Sequence, residues 1–455
     1  MIAVNFLAET FPFEARIAAP PQIALDRIGV IILAGGEGKR LEPLTKSRCK
    51  PVLTFGGRYS LIDVPISYAF SSGLKKIYVL GQYCANSLQR HIYQTYSHNG
   101  PTQLEVNMLA PEEREGKKIW YKGTADAIRQ NLSYFSELPS LDYFLILSGD
   151  QLYNIDFQEM IRFAIASDAS MVLAAQPISE KEAKRMGVLK IQPSGTQLID
   201  FYEKPHEKKL IDQYQIDDLT LHRLGNHIQN EKKHLGSMGI YLFKRQALFQ
   251  LLQQEVGDDF GKHLIKAQMH RGNTHVFLYD GYWEDIGTIE SYYQANLALT
   301  HELGDRKVGF QCYDEKSPIF TKARYLPNAK IKHTLLNNAI VCEGSIIEAK
   351  EIHNSIIGLR SRIKQGTIIR DSLLLGNEFY ERPSLVVAEE IDKPGIGENC
   401  LIIKTIIDEN VSIGNDVQLI NKWGHINYDS PDGIFVRDGI IVVPRGTKLP
   451  DRFIF

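Results

Sequence analysis

The sequence predicts an α/β fold, a doubly wound and mostly parallel sheet, continued by a C-terminal left-handed parallel β-helix. Three observations carry that reading. The chain has 455 residues, too many for one ordinary core, so two or three domains are expected. From about Gly29 to His301 short apolar runs alternate with helix-like segments. After about residue 318 helical periodicity fades and apolar residues recur at intervals of six.

Taken in order, the N-terminal stretch "MIAVNFLAETFPFEARIAAPPQ" is mildly apolar and interrupted by Glu9 and Glu14. It lacks a basic leader and a long apolar centre, so residues 1–27 read as a tail and not as a signal peptide. Residues 28–301 form the α/β unit. Its runs "GVIILA", "KIYVLG", "YFLILSG" and "SMVLAA" are continuously apolar, as strands covered on both faces must be. Segments such as "ADAIRQNLSYF" and "FQEMIRFAIA" supply the covering helices. The polar segment 206–235 reads as an irregular insertion over the carboxyl ends of the strands, where such sheets bind ligands. Residues 302–317 form a linker. In 318–455 the six-residue spacing links Ile340, Ile346 and Ile352, then Ile357, Ile363 and Ile369, then Ile396 with Ile402 and Ile413 with Leu419. That period marks a parallel β-helix, with an irregular β-sandwich as the plain alternative. Segment 376–395, carrying Pro383 and Pro394, reads as a loop between coils.

Composition narrows the function. Apolar residues make up 44% and charged residues 23%, and 52 basic side chains face 54 acidic ones. No global field recruits nucleic acid or a membrane, so any anion site is local. No apolar run approaches the roughly 18 residues of a membrane helix. The five cysteines are scattered without a C-x-x-C pair, which argues for buried thiols in a reducing, cytoplasmic setting.

The local anion site is the stretch "LAGGEGKR". An apolar strand ending at Leu33 and Ala34 breaks into Gly35 and Gly36, and a glycine-rich turn that enters a helix offers backbone N–H groups to phosphate. It matches neither the Walker loop nor the dinucleotide fingerprint. The basic residues Arg40, Lys46, Arg48 and Lys50 decide the reading, since Glu42 is the only acid between Lys39 and Lys50. Asp150, after "LILSG", and Asp285, in "YWEDIGT", are carboxylates at strand ends. Together they suit Mg²⁺ bridging phosphates, although Asp150 alone could be a helix cap. "WYKGTADA" places Gly123 and Thr124 before a second helix, and "FYEKP" places Glu203 and Lys204 after a further strand. An adjacent Glu and Lys is by itself an ordinary surface pair.

The ordered series "LAGGEGKRLEPLT", "FGG", "LIDVPIS", "WYKGTADA", "LSGD", "MGV", "FYEKP", "GSMGIY" and "YWEDIGT" resembles the sugar-nucleotide pyrophosphorylases of nucleotidyltransferase fold, and within them the glucose-1-phosphate adenylyltransferases. The resemblance implies that ATP and glucose 1-phosphate give ADP-glucose and pyrophosphate, for glycogen or starch synthesis. It implies that Arg40 and Lys50 hold the triphosphate, and that Asp150 and Asp285 hold Mg²⁺. Gly187, Glu203, Lys204, Ser237 and Asp285 would line the sugar-phosphate pocket. Leu33, Ala34, Gly35, Gly36, Glu112, Gly123 and Thr124 would line the nucleotide pocket. It further implies a homotetramer and an anionic metabolite effector. The phosphate of glucose 1-phosphate is already an anion, so the reaction needs no Ser–His or Cys–His pair, and the sequence suggests none.

Two departures from the relatives stand out. Where they carry a Gln that reads adenine, this chain has Glu112 and Glu113, which when ionised can only accept hydrogen bonds. Ser47 stands where many relatives have a Lys. UTP or dTTP as the nucleotide, and a regulatory subunit without catalysis, therefore remain as alternatives. The β-helix, with apolar repeat positions and no convergent acids or bases, is expected to regulate and assemble without serving the chemistry. Arg445, Lys448 and Arg452 near its end read either as a solvated rim or as an anionic effector site against residues 46–50 or the tail.

Overall fold

A computed structural model describes residues 25–97, 100–111, 113–114, 117–118, 120–193, 195–217, 219–220, 232–301, 309–383 and 391–455. Most of the expected tail, and residues 302–308 of the expected linker, lie outside this set.

The first half is built on a nine-stranded sheet. Its strands are β1 (Ile28–Ala34), β2 (Lys76–Gly81), β3 (Glu105–Leu109), β4 (Tyr143–Ser148), β5 (Met171–Ile178), β6 (Gly187–Ile191), β7 (Leu198–Glu203), β8 (His234–Lys244) and β9 (Thr274–Leu278). The order runs β7-β6-β8-β4-β1-β2-β3, with β5 joining β8 to β9. Strands β4, β1, β2 and β3 are parallel neighbours, which is the expected doubly wound arrangement. Strand β8 runs antiparallel to β4, β5 and β6. The sheet therefore has a parallel half below the glycine turn and a mixed half below Lys204. All four expected apolar runs are strands, and Val30, Ile31, Ile32, Leu145, Ile146 and Leu147 are fully buried.

Helices α1 (Asp63–Ser71), α2 (Ala85–Ile92), α3 (Thr124–Gln130), α4 (Phe157–Ala166), α5 (Arg245–Gln254) and α6 (Ile289–Ala298) cover the sheet or lead away from it. In α4, Phe157, Met160, Ile161 and Ala164 recur at three- and four-residue steps and are buried. Asp156 caps its first turn by accepting from Gln158 N. The polar segment after residue 206 is less irregular than expected. Lys208–Asp212 is a short helix, and Ile211 and Tyr214 pack with Ile178, Ala183 and Val188 in a satellite cluster. Residues 218 and 221–231 of that segment are outside the described set.

The second half is a left-handed parallel β-helix. Parallel pairing stacks Ile347, Ile363, Ile396, Ile413 and Leu449 on one side. Ile352, Ile369, Ile402 and Leu419 stack on the second, and Ile357, Leu374, Ile407 and Val443 on the third. These rows share one interior core. The expected phase is off by one in the first coil: Ile347, not Ile346, is the buried residue, and Val341 rather than Ile340 packs on the interior. The steps between stacked residues are mixed, five from Ile347 to Ile352 and from Ile352 to Ile357 but six from Ile357 to Ile363 and from Ile363 to Ile369, so a strict six slips. Of segment 376–395, Arg382–Pro383 and Ile391–Asp392 pair with each other outside the coil ladders, Gly395 is already paired within a coil, and residues 384–390 lie outside the described set.

A second apolar row points out of the β-helix. Ile356, Leu373, Ile406 and Val442 belong to the same buried cluster as the sheet's Ile28, Val30 and Leu145. Helix α6 packs on this face, and Tyr293 Oη donates to Asp371 O at 2.6 Å. The two halves thus share a core. No helix among the described residues is long and apolar enough to cross a membrane.

Candidate active site

A cleft of about 640 Å³ opens over the carboxyl ends of β1, β2 and β4 and reaches across to β6 and β7. Its walls include Leu33, Gly35, Gly36, Arg40 and Lys50 from the glycine-turn region, Gly123 and Thr124 at the start of α3, Asp150 after β4, Gly187, Glu203, Lys204 and Ser237 from the mixed half, and Asp285. These residues are spread over more than two hundred positions of sequence and meet in one cavity.

The two aspartates are brought together by a local device. Gly149 N donates to Leu33 O at 3.0 Å, the last rung of the β1–β4 ladder, so Asp150 stands directly at the strand's carboxyl end. The next residues, Gln151–Tyr153, pair antiparallel with Trp283–Asp285, setting Asp285 opposite Gln151. Ile286 N then donates to Asp150 O at 3.3 Å. Lys50 Nζ donates to Asp150 Oδ2 and lies 3.9 Å from Asp285 Oδ1. A Cβ placed on Gly287 would be 3.3 Å from Asp285 Oδ2 and 3.4 Å from Arg40 Nη1, so Arg40 converges on the same point.

Electrostatics separate the two acids. Burial opposes the charge on Asp150, but Lys50, the Ser148 hydroxyl and Arg40 outweigh it and hold the carboxyl below its usual range. Asp285 is pushed up by burial and by the facing charge of Asp150. With its side chain 45% exposed, solvent moderates that rise. Two facing carboxylate groups that repel one another, with an open side toward the cleft, are a hard-oxygen donor set. It suits a Mg²⁺ that completes its shell with water and phosphate oxygens. Among the described residues no cluster of three or more His, Cys, Asp or Glu offers an all-protein metal cage.

The sequence expectations need three corrections. The glycine turn does not enter an α-helix: Lys39–Leu41 and Lys50–Val52 are single 3₁₀ turns, so the segment offers no helix dipole, and of its expected cations Arg40 and Lys50 line the cleft whereas Lys46 and Arg48 do not. Helix α3 does begin at Thr124, but its N-terminus is occupied. Ala125 N and Asp126 N both donate to Asp258 O, at 2.9 and 3.1 Å, and a Cβ on Gly123 would collide with that same carbonyl. Gly123 is small to admit the protein's own backbone. Ala34 is 2% exposed and packs in the core, so its side chain does not line the cleft. Glu112 lies outside the described residues, and of Glu113 only the backbone strand is described.

Several cleft residues escape the sequence reading. Gln82 and Tyr83 follow β2, where the strand-end rule pointed. Gln82 is committed to structure, since its Nε2 donates to Tyr121 O and its Oε1 accepts from Tyr121 N. Tyr83 stacks obliquely on Trp120, with ring centroids 5.4 Å apart, at the cleft's rim. Arg185, two residues before Gly187, adds a further cation. Trp283 Nε1 donates to Gln151 Oε1 at 3.3 Å and stiffens the aspartate ribbon.

A Ser–His–Asp set does exist, contrary to expectation. Ser60 Oγ lies 3.4 Å from His91 Nδ1, and His91 Nε2 lies 2.6 Å from Asp63 Oδ1. Asp63 also accepts from Ser60 N and Tyr96 Oη. None of these residues lines the cleft. The long Ser–His distance and the buried, fully satisfied aspartate describe a tie between α1 and α2, not an activated nucleophile. Among the described cleft-lining residues there is no His and no Cys.

Residues 29–302 match the nucleotidyl transferase family. The chain belongs to that family. Residues 324–454 match a second family, the GLGC left-handed parallel beta-helix domain. The pair of matches in this order supports a sugar-1-phosphate nucleotidyltransferase, with a nucleoside triphosphate and a sugar phosphate as its substrates.

Proposed function

We propose that this nucleotidyl transferase joins ATP to α-D-glucose 1-phosphate, forming ADP-glucose and releasing pyrophosphate. The observation that carries the reading is the meeting of Asp150, Asp285, Lys50 and Arg40 at one end of a cleft whose far wall holds Glu203 and Lys204. The phosphate oxygen of the sugar phosphate attacks the α-phosphorus of ATP, and the bond to pyrophosphate breaks. No proton must move, which agrees with a cleft whose described lining residues include no His or Cys. Catalysis is then placement and charge neutralisation. Arg40 and Lys50 hold the triphosphate and the departing pyrophosphate. Lys204 pairs with the sugar phosphate, and Glu203, Gly187 and Ser237 border the sugar. Asp150 and Asp285 would hold Mg²⁺, which neutralises phosphate charge. The second-domain match supports the ADP-glucose type over other members. An anionic metabolite effector bound near the end of the β-helix belongs to the same reading.

The test is pyrophosphate release with ATP, UTP and dTTP at fixed glucose 1-phosphate. ATP is expected to be the best substrate. Asp150→Asn is expected to lose at least about a hundredfold in kcat while staying folded. A better rate with UTP or dTTP removes the adenylyl assignment. No release with any nucleotide from folded protein removes the enzymatic one.

A further inference from the structure

The β-helix is expected from sequence to stand apart from the chemistry, yet the segment that carries Lys50 is held to it on both sides. Before Lys50, Lys46 Nζ lies 4.5 Å over the Phe435 ring. Arg48, with a side chain only 4% exposed, pairs with Asp408 Oδ1 at 2.6 Å and Glu409 Oε2 at 3.0 Å. After Lys50, Thr54 Oγ1 donates to the other oxygen of Glu409, Oε1, at 2.8 Å. Gly57, at φ +76°, packs where a Cβ would meet Cys342 Sγ at 2.7 Å and Ile356 Cγ2 at 3.0 Å. One β-helix carboxylate, Glu409, therefore clamps the segment on both flanks, and Asp408 reinforces it. Only Cys49 separates Arg48 from Lys50. Cys49 is itself buried, with its backbone N–H directed to Ser87 Oγ at 3.3 Å.

We propose that Asp408 and Glu409 are positioning residues for the active site: through Arg48 the β-helix sets where Lys50 stands against Asp150. The inference rests on the proposed nucleotidyl transfer for its kinetic consequence. Removing a carboxylate leaves a buried cation short of a partner, and such a charge moves toward solvent or other acceptors. A displacement of Arg48 passes along two peptide units to Lys50. Misplacement by about 1 Å at a reacting centre can cost about a hundredfold in rate. The competing account is that these contacts only hold the two halves together. In that case they would act like any other tie across the interface, such as the bond from Tyr293 Oη to Asp371 O.

The experiment compares the full-length parent with Asp408→Asn and Tyr293→Phe. Three quantities are measured: Tm, steady-state kinetics, and the rate at which acetic anhydride acetylates Lys50, mapped by mass spectrometry. Asp408→Asn should lower kcat by about tenfold or more with little change in KM for the sugar phosphate. It should also change the Lys50 acetylation rate. Tyr293→Phe should lower Tm while leaving kcat and Lys50 acetylation at parental values. Arg48→Lys keeps the charge and should retain more activity than Asp408→Asn. If Asp408→Asn does not fold, Arg48→Lys carries the test by the same two readouts. An unchanged kcat or an unchanged Lys50 acetylation rate in the folded variant overturns the proposal. Acetylation needs no turnover, so a parent without pyrophosphate release would defeat the proposed function and leave the positioning test standing.

Discussion

Lys204 shows what a single residue does in this cleft. It sits at φ +50°, a left-handed conformation that costs a residue with a Cβ on the order of 1–2 kcal/mol. Its backbone N–H is tied to Met186 O at 3.1 Å, and its Nζ lies 3.3 Å from Glu203 with about half the side chain exposed. An ordinary surface pair would not require that backbone. Lys204→Ala is expected to raise KM for glucose 1-phosphate by about tenfold to a hundredfold with kcat much less affected, because the sugar phosphate proposed as its partner is charged before reaction. Steady-state titration of each substrate checks this, and a rise confined to the nucleotide KM would move Lys204 to the triphosphate. Arg40, Lys50, Asp150 and Asp285 were legible because charge at a strand end or after a glycine turn is unusual in itself. Arg185 was not, since in "KEAKRMGV" it looks like one more solvated helix-end cation.

At the scale of elements, a strand of the β-helix has two apolar faces with different partners. Ile407 points into the coil and Ile406 into the core shared with the sheet, both nearly or wholly buried. This is why the period was readable and the phase was not: with apolar residues on both faces, the pattern contains two overlapping repeats. Ile406→Ala is expected to destabilise the protein by about 2–5 kcal/mol, as large-to-small changes at buried sites do. Because Ile406 joins the two halves, one cooperative denaturant transition should shift as a whole. Two separate transitions, with only the later one moved, would show that the halves unfold independently.

For the whole molecule, the seam between the halves also forms a second polar feature. A cleft of about 320 Å³ there is lined by Arg48, Arg90, Lys322, Arg324, Arg360 and Arg445, among others. Desolvation is strong enough to lower the pKa of both Lys322 and Arg324. The expected grouping of Arg445, Lys448 and Arg452 is corrected by the fold. Arg445 enters this cleft and pairs with Glu378 at 2.5 Å, whereas Lys448 and Arg452 are exposed and lie outside its lining. If an anionic metabolite activates the enzyme from here, Arg445→Ala should blunt the response to sugar phosphates or phosphoglycerate, and Lys448→Ala should not. Activation curves for the two variants decide it: an unaltered response in Arg445→Ala removes the effector from this cleft.

The sequence by itself determined the two-part architecture, the strand ends that bear the charges and the family that the motifs resemble. All of these are written in local patterns, namely continuous apolar runs, a near-sixfold repeat and charge after glycine. Only the tertiary structure decided what those residues do to one another. It filled the α3 N-terminus with Asp258 O, turned Ala34 into the core, replaced the expected first helix by 3₁₀ turns, and set Arg48 between Asp408 and Glu409. The physical reason is common to these cases. Whether a backbone N–H or a cation is free for a ligand depends on which groups remote in sequence already satisfy it, and that pairing follows from packing the two halves on one core.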